Sequence, residues 1–127
     1  MTTLFDKGLA VRKDVLGAEY VENSIKNADD FSRPLQELVT EYCWGAIWTR
    51  EGLPRKTRSM LNLAMLSALN RPHELKMHVK GALRNGVTRD EIREVLMQVA
   101  IYCGVPAGVD SFRLAREAFV EFDAGTK

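Results

Sequence analysis

The chain has 127 residues, a length that suits one domain built on one core. Hydrophobic residues make up 46% and charged residues 28%, a composition that excludes a disordered or fibrous chain. Eighteen Lys and Arg against seventeen Asp and Glu leave a formal net charge of +1, so the chain offers nucleic acid no overall attraction.

Gly and Pro divide the sequence into helical lengths, and no segment alternates with period two for long enough to make a strand. Asp6 is a candidate cap for a first helix ending near Leu16, with Gly17 as its stop. A short second helix is expected from Ala18 to Asn27. The run from Asp29 to Pro34 opens a third through Leu35, Leu38, Val39 and Tyr42, fading near Gly45. A loop from Trp44 to Pro54 follows and carries both tryptophans, Trp44 and Trp48.

Pro54 fits the first position of a fourth helix whose apolar face is read as Leu61, Met65, Ala68 and Leu69. Pro72 starts a fifth, with Leu75, Val79, Ala82 and Leu83 inward and Gly86 beyond its end. Thr88 and Glu91 form the capping box of a sixth, with a stripe of Ile92, Val95, Leu96, Val99, Ala100 and Cys103. After Gly104 a seventh helix runs from Pro106 or Ala107 through Phe112, Ala115, Phe119 and Phe122. The fold class is therefore all-α, with helices four to seven as an antiparallel run.

The longest uncharged stretches, Ser59 to Asn70 and Leu96 to Val109, fall short of the roughly 20 apolar residues a membrane helix needs. The opening Met-Thr-Thr-Leu-Phe-Asp-Lys has no basic segment followed by an apolar one, so cytoplasmic residence is expected. Cys43 and Cys103 show neither a C-x-x-C pair nor a zinc spacing and read as two buried thiols.

His78 falls on the apolar side of the fifth helix, where such a residue commonly packs in a core or a subunit contact. Glu74 lies one turn earlier, within reach of the imidazole to fix its tautomer or raise its pKa. An acid and an imidazole on an apolar face are costly to bury unless they pair or serve a site. A metal site is the weaker reading, since Glu74, His78 and a solvated His73 do not make a recognised ligand spacing. No base lies beside Ser59, Ser67 or either cysteine in the sequence. Arg55, Lys56 and Arg58 crowd the first turns of the fourth helix and are either a solvated face or a carboxylate grip. Trp44 and Trp48, four apart, are either packing or a ligand wall.

Together these residues resemble the carboxymuconolactone decarboxylase family, over about Lys7 to Phe122. The resemblance is carried by Val11 to Gly17, Trp44 to Arg50, Gly52 to Arg55, Thr57 to Ser59, Asn70-Arg71, Glu74 to His78, Asn85 to Arg89 and Ala100 to Ala107. The wider superfamily, which includes alkylhydroperoxidase-D-like helical bundles, usually carries C-x-x-C-x-x-x-H with the His eight residues before a Gly. His78 and Gly86 keep that spacing, while Arg71 and Glu74 stand in the two cysteine places. The resemblance thus implies the lyase branch over a thiol peroxidase. A noncatalytic helical assembly module is the third alternative.

The activity implied by the resemblance is decarboxylation of 4-carboxymuconolactone to 3-oxoadipate enol-lactone in the β-ketoadipate route of protocatechuate breakdown. The lactone conjugates the electron pair left by CO2, so neither a cofactor nor a metal is implied. His78 is the implied proton donor, with an imidazole near its ordinary pKa, and Glu74 orients it or takes the acid role. Arg58, backed by Arg55 and Arg71, is the implied carboxylate clamp, and Trp44, Trp48 and Tyr102 are implied walls. A homo-oligomer, trimer or hexamer, is implied as well. The apolar residues Ile101, Tyr102, Val109 and Leu114, outside the main stripes, are expected to widen the surface that a second subunit covers.

Overall fold

The computed structural model describes residues 2–125, which form seven helices and no strand. They fall into two compact units, one ending at Pro54 and one beginning at Arg55.

In the first unit α1 spans Leu4–Leu16, α2 Ala18–Lys26 and α3 Arg33–Leu38. The cap of α1 is Thr3, not Asp6: Thr3 Oγ1 accepts from the Asp6 amide at 3.1 Å, and Asp6 Oδ2 accepts from the Thr3 amide at 3.2 Å. Asp6 is the acidic third residue of a capping box. α3 does not fade at Gly45. It runs on as a π-helix, Val39–Ile47, whose wider hydrogen bonding is seen in the Trp48 amide reaching Cys43 O at 3.1 Å. The stretch from Trp44 to Ile47, expected as loop, is therefore helical.

Gly45 is a packing residue here, not a stop. A Cβ on it would lie 2.6 Å from Leu4 O, and one on Gly8 would lie 1.9 Å from Thr40 O. The two glycines let α1 and the π-helix meet backbone to backbone. Arg12 is buried beside that contact, donating from Nη1 to Gln36 Oε1 at 2.9 Å and Thr40 Oγ1 at 3.1 Å.

The second unit holds α4 (Arg55–Ala68), α5 (Pro72–Arg84), α6 (Arg89–Cys103) and α7 (Val105–Asp123). Pro72 and Pro106 lie in the first turns of α5 and α7, and the Thr88–Glu91 capping box opens α6 as its sequence spacing demands. Leu63, Leu75, Val79, Ile92, Leu96 and Ala118 form the heart of the core. Asn70, at φ 57°, turns the chain sharply between α4 and α5. Lys76 and Lys80 of α5 both reach Glu121 of α7, at 2.5 and 2.6 Å. These two hydrogen-bonded ammonium groups push the Glu121 carboxyl down to about 2.

Three further sequence expectations change. The apolar face assigned to α4 is the exposed one: Leu61, Met65 and Leu69 are 47%, 52% and 62% open, and Ala68 is exposed. The buried line is Ser59, Leu63 and Ser67. Small serines let neighbouring helices approach closely, and their hydroxyls are satisfied locally, as when Ser67 Oγ donates to Leu63 O at 2.7 Å. Cys43 and Cys103 are exposed free thiols, because each sits on the open side of its helix. Leu114 belongs to the core, whereas Ile101, Tyr102 and Val109 stay open. Among the described residues no helix is long and apolar enough to cross a membrane.

Candidate functional site

The helical hairpin of α4 and α5 assembles most of the candidate residues. Pro72 sets the start of α5, and Glu74 follows in its first turn, where the helix dipole favours a carboxylate. Helical spacing places His78 one turn after Glu74, and Asn85 two turns after His78, along one stripe.

His78 is largely withdrawn from solvent. Burial lowers its pKa from 6.5 to about 4, while the charge of Glu74 acts in the opposite direction. The imidazole expected near its ordinary pKa is thus neutral in the folded chain at pH 7. A neutral ring has one nitrogen to accept and one to donate, so it can take up a proton when negative charge arrives beside it.

On α4, Ser59 has no exposed surface, and its Oγ accepts a hydrogen bond from Asn85 Nδ2 at 2.9 Å. This bond ties the start of α4 to the end of α5. It fixes the antiparallel register, so that Arg58 lies at the Asn85 end, about 10 Å along the axis from the level of His78 by helical rise. Arg71 and Glu74 lie at the opposite end of the hairpin.

The cations differ in how they are engaged. Arg58 is half-buried, whereas Arg55 is exposed. Lys56 is paired with Glu91 at 3.1 Å. Arg71 is exposed at the cap of α5, and its Nη1 folds back onto the carbonyls of Leu69 and Asn70 at 3.1 and 3.4 Å. Of these four cations Arg58 is the one drawn furthest in. Among the described residues, no three His, Cys, Asp or Glu side chains gather in a metal-binding group.

The remaining candidates are placed elsewhere. Trp44 and Trp48 belong to the π-helical end of the first unit, 3% and 5% exposed and stacked at 4.8 Å with 20° between their planes. Tyr102 stands 79% exposed on α6. Ser59 and Asn85 did not emerge as site residues from sequence. The signal available was Asn85 itself, a polar residue on the stripe of Glu74 and His78.

Residues 33–117 match the carboxymuconolactone decarboxylase family. The chain is 52% identical over 108 residues to a nitrosuccinic acid decarboxylase of Metarhizium robertsii, covering 85% of this chain and 76% of that one. It is 41% identical over 115 residues to a 4-carboxymuconolactone decarboxylase of Acinetobacter baylyi, covering 91% and 86%. An uncharacterized 15.0 kDa protein of Paracoccus denitrificans is 35% identical over 88 residues, 67% of this chain and 65% of that one.

Proposed function

The chain belongs to the carboxymuconolactone decarboxylase family, and from that premise we propose that it decarboxylates 4-carboxymuconolactone to 3-oxoadipate enol-lactone. The observation that carries this reading is the α5 stripe: an imidazole held neutral by burial, one turn from a carboxylate, on a hairpin whose other helix brings in Arg58.

The substrate is a dianion. Its ring carboxylate leaves as CO2, and the C–C bonding pair passes through the ring double bond into the lactone carbonyl as a dienolate. That carbonyl is the electron sink, so the reaction asks the protein for orientation, charge stabilisation and one proton. A carboxylate arriving beside His78 opposes the burial effect and raises its proton affinity. The imidazole takes up a proton with the substrate and gives it to the dienolate carbon once CO2 has left. Glu74 favours the protonated ring by its charge and fixes its orientation. Arg58 clamps the carboxylate that remains, with Arg55 and Arg71 in support.

Nitrosuccinic acid is the second substrate to consider, on the 52% identity to a decarboxylase of that compound. Loss of its carboxylate next to the nitro group gives a nitronate, which one proton converts to 3-nitropropanoate. The same proton donor and clamp serve both reactions. A thiol peroxidase finds less support, since Arg71 and Glu74 occupy the motif's cysteine places. The test is His78→Ala: turnover of the lactone should fall by a factor on the order of 100, and near-normal turnover would remove His78 as donor.

The protein is further proposed to be a cytoplasmic homo-oligomer, a trimer or a hexamer of paired trimers. Support comes from a groove of about 480 Å³ between α4 and α6, bordered by Met60, Leu61 and Val95, and from the open side chains of Met65, Met97, Ile101 and Val109. An apolar surface this extensive is unusual on a monomer. Light scattering of active protein gives the answer, and a mass near 14.3 kDa would reject the oligomer.

A further inference from the structure

We infer that the site reads a succinate skeleton: it binds succinates that carry, on the carbon losing CO2, any group able to take up an electron pair by conjugation. This rests on the decarboxylase reading above and names the substrate class of that same site.

The two compounds named by the relatives look unrelated, a lactone and a nitro acid, yet they share one core. In 4-carboxymuconolactone the ring carbon bearing the departing carboxylate also bears a CH2COO⁻ arm. In nitrosuccinic acid the carbon bearing the departing carboxylate and the nitro group is again bonded to CH2COO⁻. Each is a succinate substituted at C2 by its own electron acceptor. Relatives acting on both share 52% and 41% identity with this chain across most of its length.

The hairpin supplies what such a core requires. Arg58, half-buried on α4, suits the constant CH2COO⁻ group with its bidentate fork. His78, on α5, supplies the proton, which ends on the carbon that lost CO2 in the nitro acid and on the carbon next to the carbonyl in the lactone. The 2.9 Å bond from Asn85 to the fully buried Ser59 fixes one helix against the other, which sets the spacing between clamp and proton donor. The clamp thus holds the CH2COO⁻ group that the two substrates share. At the hairpin's ends Lys56 pairs with Glu91, Arg71 folds onto its own backbone carbonyls, and Arg84 lies over the Phe122 ring.

Both reactions balance in the same way. One C–C bond breaks, its electron pair moves into the lactone carbonyl or the nitro group, CO2 departs, and one proton from His78 forms the new C–H bond. No oxidant, reductant or second substrate enters.

The test compares four small molecules on the whole chain: 4-carboxymuconolactone, nitrosuccinate, 2-nitropropanoate and succinate. The lactone and nitrosuccinate should both lose CO2 well above their rates in solution. 2-Nitropropanoate keeps the acceptor and the departing carboxylate but lacks the CH2COO⁻ arm. Its kcat/KM should be lower than that of nitrosuccinate by roughly 10- to 150-fold, the value of a lost charged hydrogen bond. Succinate keeps the skeleton without the acceptor and should inhibit competitively without reacting. In Arg58→Ala the preference for nitrosuccinate over 2-nitropropanoate should shrink toward unity. If that variant fails to fold, succinate inhibition of the unmodified chain decides alone.

Turnover of the lactone with no turnover of nitrosuccinate and no inhibition by succinate would overturn this inference and leave the decarboxylase reading standing. Turnover of neither lactone nor nitrosuccinate would overturn both.

Discussion

Asn85, the C-terminal cap of α5, donates a 2.9 Å hydrogen bond to the hydroxyl of Ser59, which has no exposed surface on α4. One bond thus joins the helix that carries His78 to the helix that carries Arg58. Asn85→Ala would leave a buried hydroxyl oxygen without its donor, at a cost of about 1–3 kcal/mol. Urea unfolding measures that loss. Because the bond also sets the spacing of clamp and donor, kcat/KM should fall in protein that remains folded, and an unchanged kcat/KM would show that the pair only stabilises.

His78 makes stability depend on pH in a definite direction. Its pKa is lowered from 6.5 to about 4 by burial, so the folded chain holds this proton more weakly than the unfolded chain. Protonation favours unfolding. The stabilisation is complete above 6.5 and declines as pH falls from 6.5 toward 4, by about 3 kcal/mol in all. Unfolding free energies at pH 7 and pH 4.5, compared between the unmodified chain and His78→Gln, isolate this term. An equal loss in both proteins would contradict it.

Glu121 works with the opposite charge. Its carboxyl is pushed down to about 2 by hydrogen bonds from Lys76 and Lys80, so its contribution is present above the ordinary value of 4.5 and disappears as pH falls through 2. The Glu121 side chain is 34% exposed, and solvent screening reduces the effect. Glu121→Gln should cost about 1 kcal/mol at neutral pH and low salt, and less at high salt. Thermal melts at two ionic strengths check both parts.

How much of this could be read from the sequence depended on whether local chemistry or packing set the outcome. α5 and α6 were legible because their starts are local: Pro72 cannot sit far inside a helix, and Thr88 with Glu91 satisfies the first amides of its own helix. The charge influence of Glu74 on His78 followed from helical spacing alone. The π-helix was hidden because Gly45 looks like a stop, whereas its role is the close approach of α1, visible only once Leu4 is in place. The face of α4 was misread for a related reason. Hydrophobicity favoured Leu61 and Met65, but tight helix packing selected Ser59 and Ser67, whose hydroxyls find partners within the second unit. The low pKa of His78 depends on burial by tertiary packing, so spacing could reveal only the influence of Glu74.

The exposed thiols have a consequence of their own. Cys43 and Cys103 are free and open to solvent, so replacing both by Ser should disturb neither fold nor turnover. Exhaustive chelation should leave activity intact as well, because the substrate conjugates its own electron pair. Loss of activity in folded protein after either treatment would point to chemistry other than that assigned to His78 and Arg58.

The most direct measurement is CO2 release from freshly generated 4-carboxymuconolactone, followed together with the ultraviolet change of the lactone, in the unmodified chain and in Arg58→Ala. The account predicts cofactor-free turnover by the unmodified chain and, in the variant, a KM raised roughly 10- to 150-fold, as for one lost charged hydrogen bond. Absence of CO2 release above the rate in solution would contradict the central claim, and release with an unchanged KM in the variant would move the clamp away from Arg58.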